Sequence, residues 1–182
     1  MRYVSIDSET TGLDPNEDEV IEVAAIAFDR DGVLDVYNTL VRPYRTLPFH
    51  VSRLTGIEAE ALESAPRFAA IAPELRAFIA DSPVVGQSVE FDRAVIGRQG
   101  VVPTGPTFDT FELAQVLLPG LSDYSLRGIA EHLGIDFPLR HRAHADAEAA
   151  RRVFLALRER LAALPVWLLH DLERLASAVD WP

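Results

Sequence analysis

The sequence predicts an α/β fold, a mixed five-stranded sheet flanked by helices, and three observations carry that prediction. Residues 2–43 hold three apolar runs of strand length, the last two joined by a tight-turn signal. From residue 65 onward, segments with helical spacing alternate with short apolar strands. The chain has 182 residues and 48% hydrophobic content, enough for one domain with a substantial core.

The elements follow in order. Arg2–Ser8 reads as the first strand. "VIEVAAIAFD" (Val20–Asp29) is the second, and "RDG" after it marks a hairpin turn. "LDVYNTLVRP" (Leu34–Pro43) returns as the third, antiparallel to the second. Ala65–Asp81 is helical, with Phe68, Ile71, Leu75, Phe78 and Ile79 on one side. Pro83–Gly86 is a short buried strand, Glu90–Arg98 a helix, and Thr107–Thr110 a fifth strand or its end, continued as helix by "FELAQVLL". Tyr124–Gly134 is a helix with Ser125 as N-cap and Gly134 as stop. A long helix, about Ala143–Ala163, buries Val153, Phe154, Leu157 and Leu161 and ends before Pro165. An antiparallel meander followed by alternating helix and strand makes a mixed sheet with helices on its faces. Leu164–Pro165 is the one linker-like point. Residues 1–164 are therefore read as the domain, and 165–182 as an amphipathic terminal helix that docks or links.

Composition narrows the setting. No apolar run reaches membrane-spanning length, and no basic segment precedes an apolar one at the N-terminus. With no cysteine, disulfides and thiolate metal sites are excluded, and a cytoplasmic location is the expectation. All 17 basic residues are arginine, as a GC-rich genome or a preference for the bidentate phosphate fork would give. The net charge of −11 argues, by itself, against a nucleic-acid binder and suits acids gathered around cations.

Four acids and a histidine then stand out. "VSIDSETTGLD" (Val4–Asp14) ends an apolar strand with Asp7 and Glu9, and residues two apart share one face of a strand. Such a pair is either solvated at a strand end or holds a hard cation, because adjacent like charges raise each other's pKa. Thr10, Thr11 and Gly12 form a polar turn in which glycine admits a close backbone approach. Asp92 opens a helix after a buried strand, where it is a dipole-favoured acid or a third ligand. Asp146 sits near the start of the long helix, and His141 precedes it by five residues. Imidazole titrates near neutral pH, which makes His141 a candidate general base and His144 the other.

Taken together, these motifs resemble those of the DEDDh 3′→5′ exonucleases of the DnaQ-like, ribonuclease H-like superfamily. "SIDSETTGLD" is similar to the first exonuclease motif, "VVGQSVEFD" to the second and "HRAHADAEAA" to the third; "RLTGI" and "FDTFELA" are similar to further family segments. The resemblance covers nearly the whole chain. It implies a ribonuclease H-like fold, and Asp7, Glu9, Asp92 and Asp146 as ligands of two divalent cations, Mg²⁺ or Mn²⁺. His141 is then the base, and Thr10, Thr11, Gly12, Leu13 and Phe91 lie against the terminal nucleotide. It also implies two-metal hydrolysis that releases nucleoside 5′-monophosphates from a single-stranded 3′ end, DNA before RNA. Gln87-Ser88 departs from the family's usual His-Asn. An RNA-trimming member and a weakly active end-binding module stay open as alternatives.

More narrowly, the chain resembles the N-terminal exonuclease domain of DinG-type helicase–exonuclease fusions, which implies a helicase domain as partner; the lack of a spanning apolar run sets the expectation of no membrane. Two dications would neutralise four site acids and leave about −7 of the −11, so substrate binding is expected to be short-range. Arg93, Arg140, Arg142 and Arg151 are the candidate contacts.

Overall fold

The computed structural model describes residues 1–137 and 141–177. It begins with a meander: β1 (Tyr3–Thr10), β2 (Val20–Phe28) and β3 (Val33–Leu40). Two short helices, α1 (Phe49–Thr55) and α2 (Ala59–Glu63), lead to α3 (Phe68–Ile79). Then come β4 (Val84–Gly86), α4 (Glu90–Arg98), β5 (Thr107–Asp109), α5 (Thr110–Leu117), α6 (Leu126–His132), α7 (Ala143–Ala162) and α8 (Val166–Ala176). The strand order is β3-β2-β1-β4-β5. β2 pairs antiparallel with both β1 and β3, and β4 pairs parallel with β1 and β5.

Alternation along the two central strands sorts the core into two layers. Val4 and Ile6 of β1 and Val23, Ala25 and Ala27 of β2 pack on the α3 and α4 side, with Ile71, Leu75, Val95 and Ile96. Tyr3 and Phe28 point the other way and meet Phe154 of α7. Alanines let the start of α7 settle onto the sheet, with Ala143 and Ala147 against Ala24 and Ile26. Ser5, fully buried, donates its hydroxyl to the carbonyl of Ala147 at 2.7 Å, fixing the height of that first turn.

Strand and helix types follow the sequence pattern, and the boundaries shift. The first strand runs to Thr10 rather than ending at Ser8, because β2 keeps pairing alongside it through Glu9↔Glu22. Asp7 and Glu9 therefore lie within the strand instead of at its end. The third strand starts one residue earlier and stops at Leu40. Leu161 is half-buried, beyond the fully buried Leu157, where α7 runs past the sheet. Helices α1 and α2 are additions to the sequence reading. Ser125 caps α6 as expected, accepting from the Gly128 amide, and Gly134 takes φ +69° at its stop. The expected Asp-Trp-Pro ending lies outside the described residues.

Phe154 joins α7 to both central strands through rings within 6.1 Å, so its loss opens a cavity at the centre of that layer. Phe154→Ala is expected to lower unfolding free energy by about 3–5 kcal/mol in denaturant titrations.

Candidate active site

Three elements converge at one end of β1. Asp7 and Glu9 share its α7-facing side, and Asp146 approaches from the first turns of α7. One carboxylate oxygen from each of the three lies within 4.8 Å of the others. Asp92 comes from α4 on the opposite side. It is buried at 5% exposure and accepts the Ser8 hydroxyl at 2.6 Å. Asp92 is not among the acids whose oxygens converge within 4.8 Å, but its charge raises the Asp7 pKa.

The acids are held in strained electrostatic circumstances. Burial pushes the Asp7 carboxyl well above the usual range, and Asp92, Asp146, Glu9 and Glu22 add to the effect. Burial and then Asp146 and Glu22 push Glu9 up to about 7, with Arg142 opposing. Asp92 is also pushed up to about 7, chiefly by burial, against the hydrogen bonding of Ser8. Oxygen-only donors crowded in this way fit a hard divalent cation, whose charge offsets the repulsion that otherwise drives protonation.

A cavity of about 510 Å³ opens over these acids. Nine of the ten residues singled out in the sequence line it: Asp7, Glu9, Thr10, Gly12, Leu13, Phe91, Asp92, His141 and Asp146. Thr11 does not. It is buried, donating to Asp18 at 2.8 Å and accepting from the Glu19 amide, so it shapes the turn from below. Gly12 has a second reason to be glycine, since a Cβ there would meet the Asp18 carboxylate at 2.4 Å. His141 stands in left-handed backbone, φ +57°, just ahead of α7. His144 is exposed on α7 and does not line the cavity.

Two supports were invisible in the sequence. Glu22 of β2, 1% exposed, is the register partner of Glu9. It accepts from Arg142 Nε at 3.0 Å and Nη2 at 2.9 Å, and from the Ala143 amide at 3.0 Å. The Arg142 amide in turn donates to Asp146 at 3.1 Å. This clamp fixes the segment between His141 and Asp146. The only signal for it was an acid inside an otherwise apolar strand.

Asp109 is the second support, accepting from the Ser88, Val89 and Phe111 amides at 3.0, 2.9 and 2.8 Å. It ties the turn ahead of Asp92 to the start of α5. Within that turn Ser88 takes φ +50°, and Gln87 accepts from Thr110 and donates to the Tyr124 carbonyl. Gln87-Ser88 thus acts as a brace between elements.

The arginines proposed as phosphate contacts are already engaged. Arg93 pairs with Glu90, Arg142 with Glu22, and Arg151 with Glu148 through two hydrogen bonds. Arg140 lies outside the described residues. No helix among the described residues is long and apolar enough to cross a membrane.

Comparison with known proteins points the same way as the geometry. A family model described as exonuclease (RNase_T) matches residues 4–154. The chain is 35% identical over 184 residues to a DNA polymerase III PolC-type of Thermotoga maritima, covering 98% of this chain and 13% of that protein. It is 31% identical to the 3′-5′ exonuclease DinG of Bacillus subtilis, covering 97% of this chain and 20% of that protein. It is 35% identical to the DNA polymerase III subunit epsilon of Aquifex aeolicus, over 87% of this chain and 81% of that one. The chain thus spans only a small part of the first two relatives. Among solved structures, an exonuclease I superposes with a TM-score of 0.79 at 20% identity, over 98% of this chain and 46% of that one. An exonuclease X in complex with 5′ overhanging duplex DNA gives 0.71 at 21% identity, over 86% of this chain and 91% of that one. The fold is the ribonuclease H-like α/β fold that the sequence suggested.

Two predictions follow from the electrostatics. In the unfolded chain these carboxyls titrate near 4, whereas Glu9 and Asp92 do so at about 7 in the fold. The native state then binds more protons between those values, so metal-free stability falls as pH rises from about 4 to about 7. In EDTA the Tm should drop by several degrees from pH 5 to pH 8, at roughly 2–4 °C per kcal/mol lost. Mn²⁺ should raise it more at pH 8 than at pH 5. Secondly, Arg142→Met leaves buried Glu22 unpaired and should cost about 2–3 kcal/mol in urea denaturation, while Glu22→Leu added to it recovers most of the loss.

Proposed function

The chain belongs to the RNase_T exonuclease family, and from that premise we propose that it is a metal-dependent 3′→5′ exonuclease removing nucleoside 5′-monophosphates from single-stranded DNA ends. The observation that supports this best is the trio Asp7, Glu9 and Asp146, whose oxygens lie within 4.8 Å of one another at the floor of an open cavity. When bound, two divalent cations, Mg²⁺ or Mn²⁺, supply the Lewis acidity for water activation and the charge that offsets the departing 3′ oxygen.

The chain's own groups do the rest. Asp7, Glu9 and Asp146 are the ligands on the α7 side, and Asp92 is the ligand on the α4 side. His141, at the cavity lip, takes the proton of the attacking water. Its place is set by the Arg142–Glu22 clamp immediately after it. Thr10, Gly12, Leu13 and Phe91 wall the space for the terminal nucleotide, and Thr11 supports that wall from behind. Residues 1–164 form the exonuclease domain in this reading. Residues 165–182 dock or link it, with a helicase domain as the partner implied by the DinG-type resemblance.

A single-stranded oligonucleotide labelled at its 5′ end tests the proposal directly. With Mg²⁺ or Mn²⁺ it should shorten stepwise from the 3′ end, and EDTA or Asp7→Ala should stop it. Unchanged activity in Asp146→Ala would contradict the ligand assignment, and faster cutting of a matched RNA would reverse the sugar preference. For the base, His141→Ala should lower kcat by about 10²–10⁴-fold with little effect from His144→Ala; the opposite result would reassign the role.

A further inference from the structure

Alternation along β1 divides the site between the two faces of that strand. Asp7 and Glu9 face α7, while Ser8 between them faces the other way, with Val4 and Ile6, toward α4. In the sequence Ser8 is a small spacer between two acids. In the structure it is half-buried, lines the cavity and donates its hydroxyl to Asp92 Oδ1 at 2.6 Å. Three successive residues of β1 therefore reach both halves of the site, with two acids on one face and a hydrogen bond to the acid of α4 on the other.

Each end of that bond is anchored. Ser8 is held in the ladder opposite Val23 of β2. Asp92 follows a turn that closes tightly onto β1, and Gly86 permits the closure, since a Cβ there would meet the Val89 side chain at 2.6 Å and the Ile6 carbonyl at 3.1 Å. The Asp109 carboxylate fixes the same turn through the Ser88 and Val89 amides. With the backbone set on both sides, the carboxylate itself remains to be set, because the χ2 torsion of aspartate is broad. Asp92 stands outside the trio whose oxygens converge within 4.8 Å, so its direction is not set by theirs. The Ser8 hydroxyl sets it, and leaves room for a cation, since an ionised carboxylate offers about four acceptor directions.

We propose that Ser8 is a positioning residue for the α4 half of the site, holding the Asp92 carboxylate in register with Asp7 and Glu9 for ligation of a divalent cation. This deepens the metal-dependent exonuclease reading and rests on it for the identity of the site. Hydrogen-bond partners of metal ligands orient the ligand, and their removal lowers metal affinity by roughly 10- to 100-fold. Ser8 acts on one ligand of the four, so its removal falls on the ion that Asp92 holds and spares the other.

Metal binding tests this independently of turnover. The full chain, stripped with EDTA and dialysed at neutral pH, is titrated with Mn²⁺, and the EPR signal of the free ion reports how much is bound. The wild-type protein should take up two ions. Ser8→Ala should weaken one of them by about 10- to 100-fold and leave the other unchanged. Ser8→Cys, close in size but a weak donor, should behave like Ser8→Ala, and Ser8→Thr, which keeps the hydroxyl, should restore wild-type binding. Cooperative thermal unfolding in EDTA identifies the folded variants, and the Cys and Thr variants decide the question if the Ala variant does not fold. Wild-type affinity for both ions in Ser8→Ala and Ser8→Cys would overturn the role of Ser8 and leave the exonuclease reading intact. Equal weakening of both ions would also overturn it, because a general structural loss acts on the two alike. A wild-type chain that takes up no Mn²⁺ would overturn the metal-dependent reading itself, and the role of Ser8 with it.

Discussion

The mutual repulsion of Asp7, Glu9, Asp146 and Asp92 in a half-buried cleft is the constraint on which the rest of the structure depends. Each carboxylate loses hydration on folding, and each faces at least one other negative charge. Left alone, the cluster relaxes by taking up protons, as the raised pKa values of Asp7, Glu9 and Asp92 record. Hard cations relieve the same repulsion at neutral pH without neutralising the ligands. The cluster is therefore unfavourable as a piece of folded structure and favourable as a cation site, the trade expected where function sets local chemistry.

Much of the architecture can be understood as holding those acids in place against their repulsion. β2 pairs with β1 along its whole length, Asp7 opposite Ala24 and Glu9 opposite Glu22, so the spacing of the two acids is held by the ladder. The alanines at the start of α7 and the Ser5–Ala147 hydrogen bond bring Asp146 down to them. Arg142 supplies a positive charge beside Glu9, and it is locked by Glu22 rather than free to swing toward the substrate. Asp109 does similar work on the other side, gathering three backbone amides to set the turn that leads to Asp92. With Arg93, Arg142 and Arg151 held by acids, attraction for substrate falls to the cavity walls.

How much of this was legible in the sequence depends on the range of the interaction. The sheet and the longer helices were readable because periodicities of two and 3.6 are local signals. The strand end at Ser8 was misplaced because charged residues read as terminators, when a pairing neighbour kept Asp7 and Glu9 inside β1. Helices α1 and α2, seven and five residues long, fall below the length at which a periodic pattern is recognisable. The four acids and His141 stand out in the sequence because they sit in three compact motifs. The Glu22–Arg142 clamp does not, because its partners are 120 residues apart and nothing local marks their pairing. Thr11 shows the same limit at short range: its position suggested a substrate contact, and its hydroxyl is committed to Asp18.

The central claim is that the crowded carboxylates exist to hold divalent cations. Crystals grown with Mn²⁺ and measured at its absorption edge test it most directly. The account predicts anomalous density bonded to Asp7 and shared with Glu9 and Asp146, at the roughly 2.0–2.2 Å expected of a small hard cation on carboxylate oxygen. Anomalous density confined to other surface acids, with the Asp7 cleft empty of metal at millimolar Mn²⁺ and neutral pH, would contradict it.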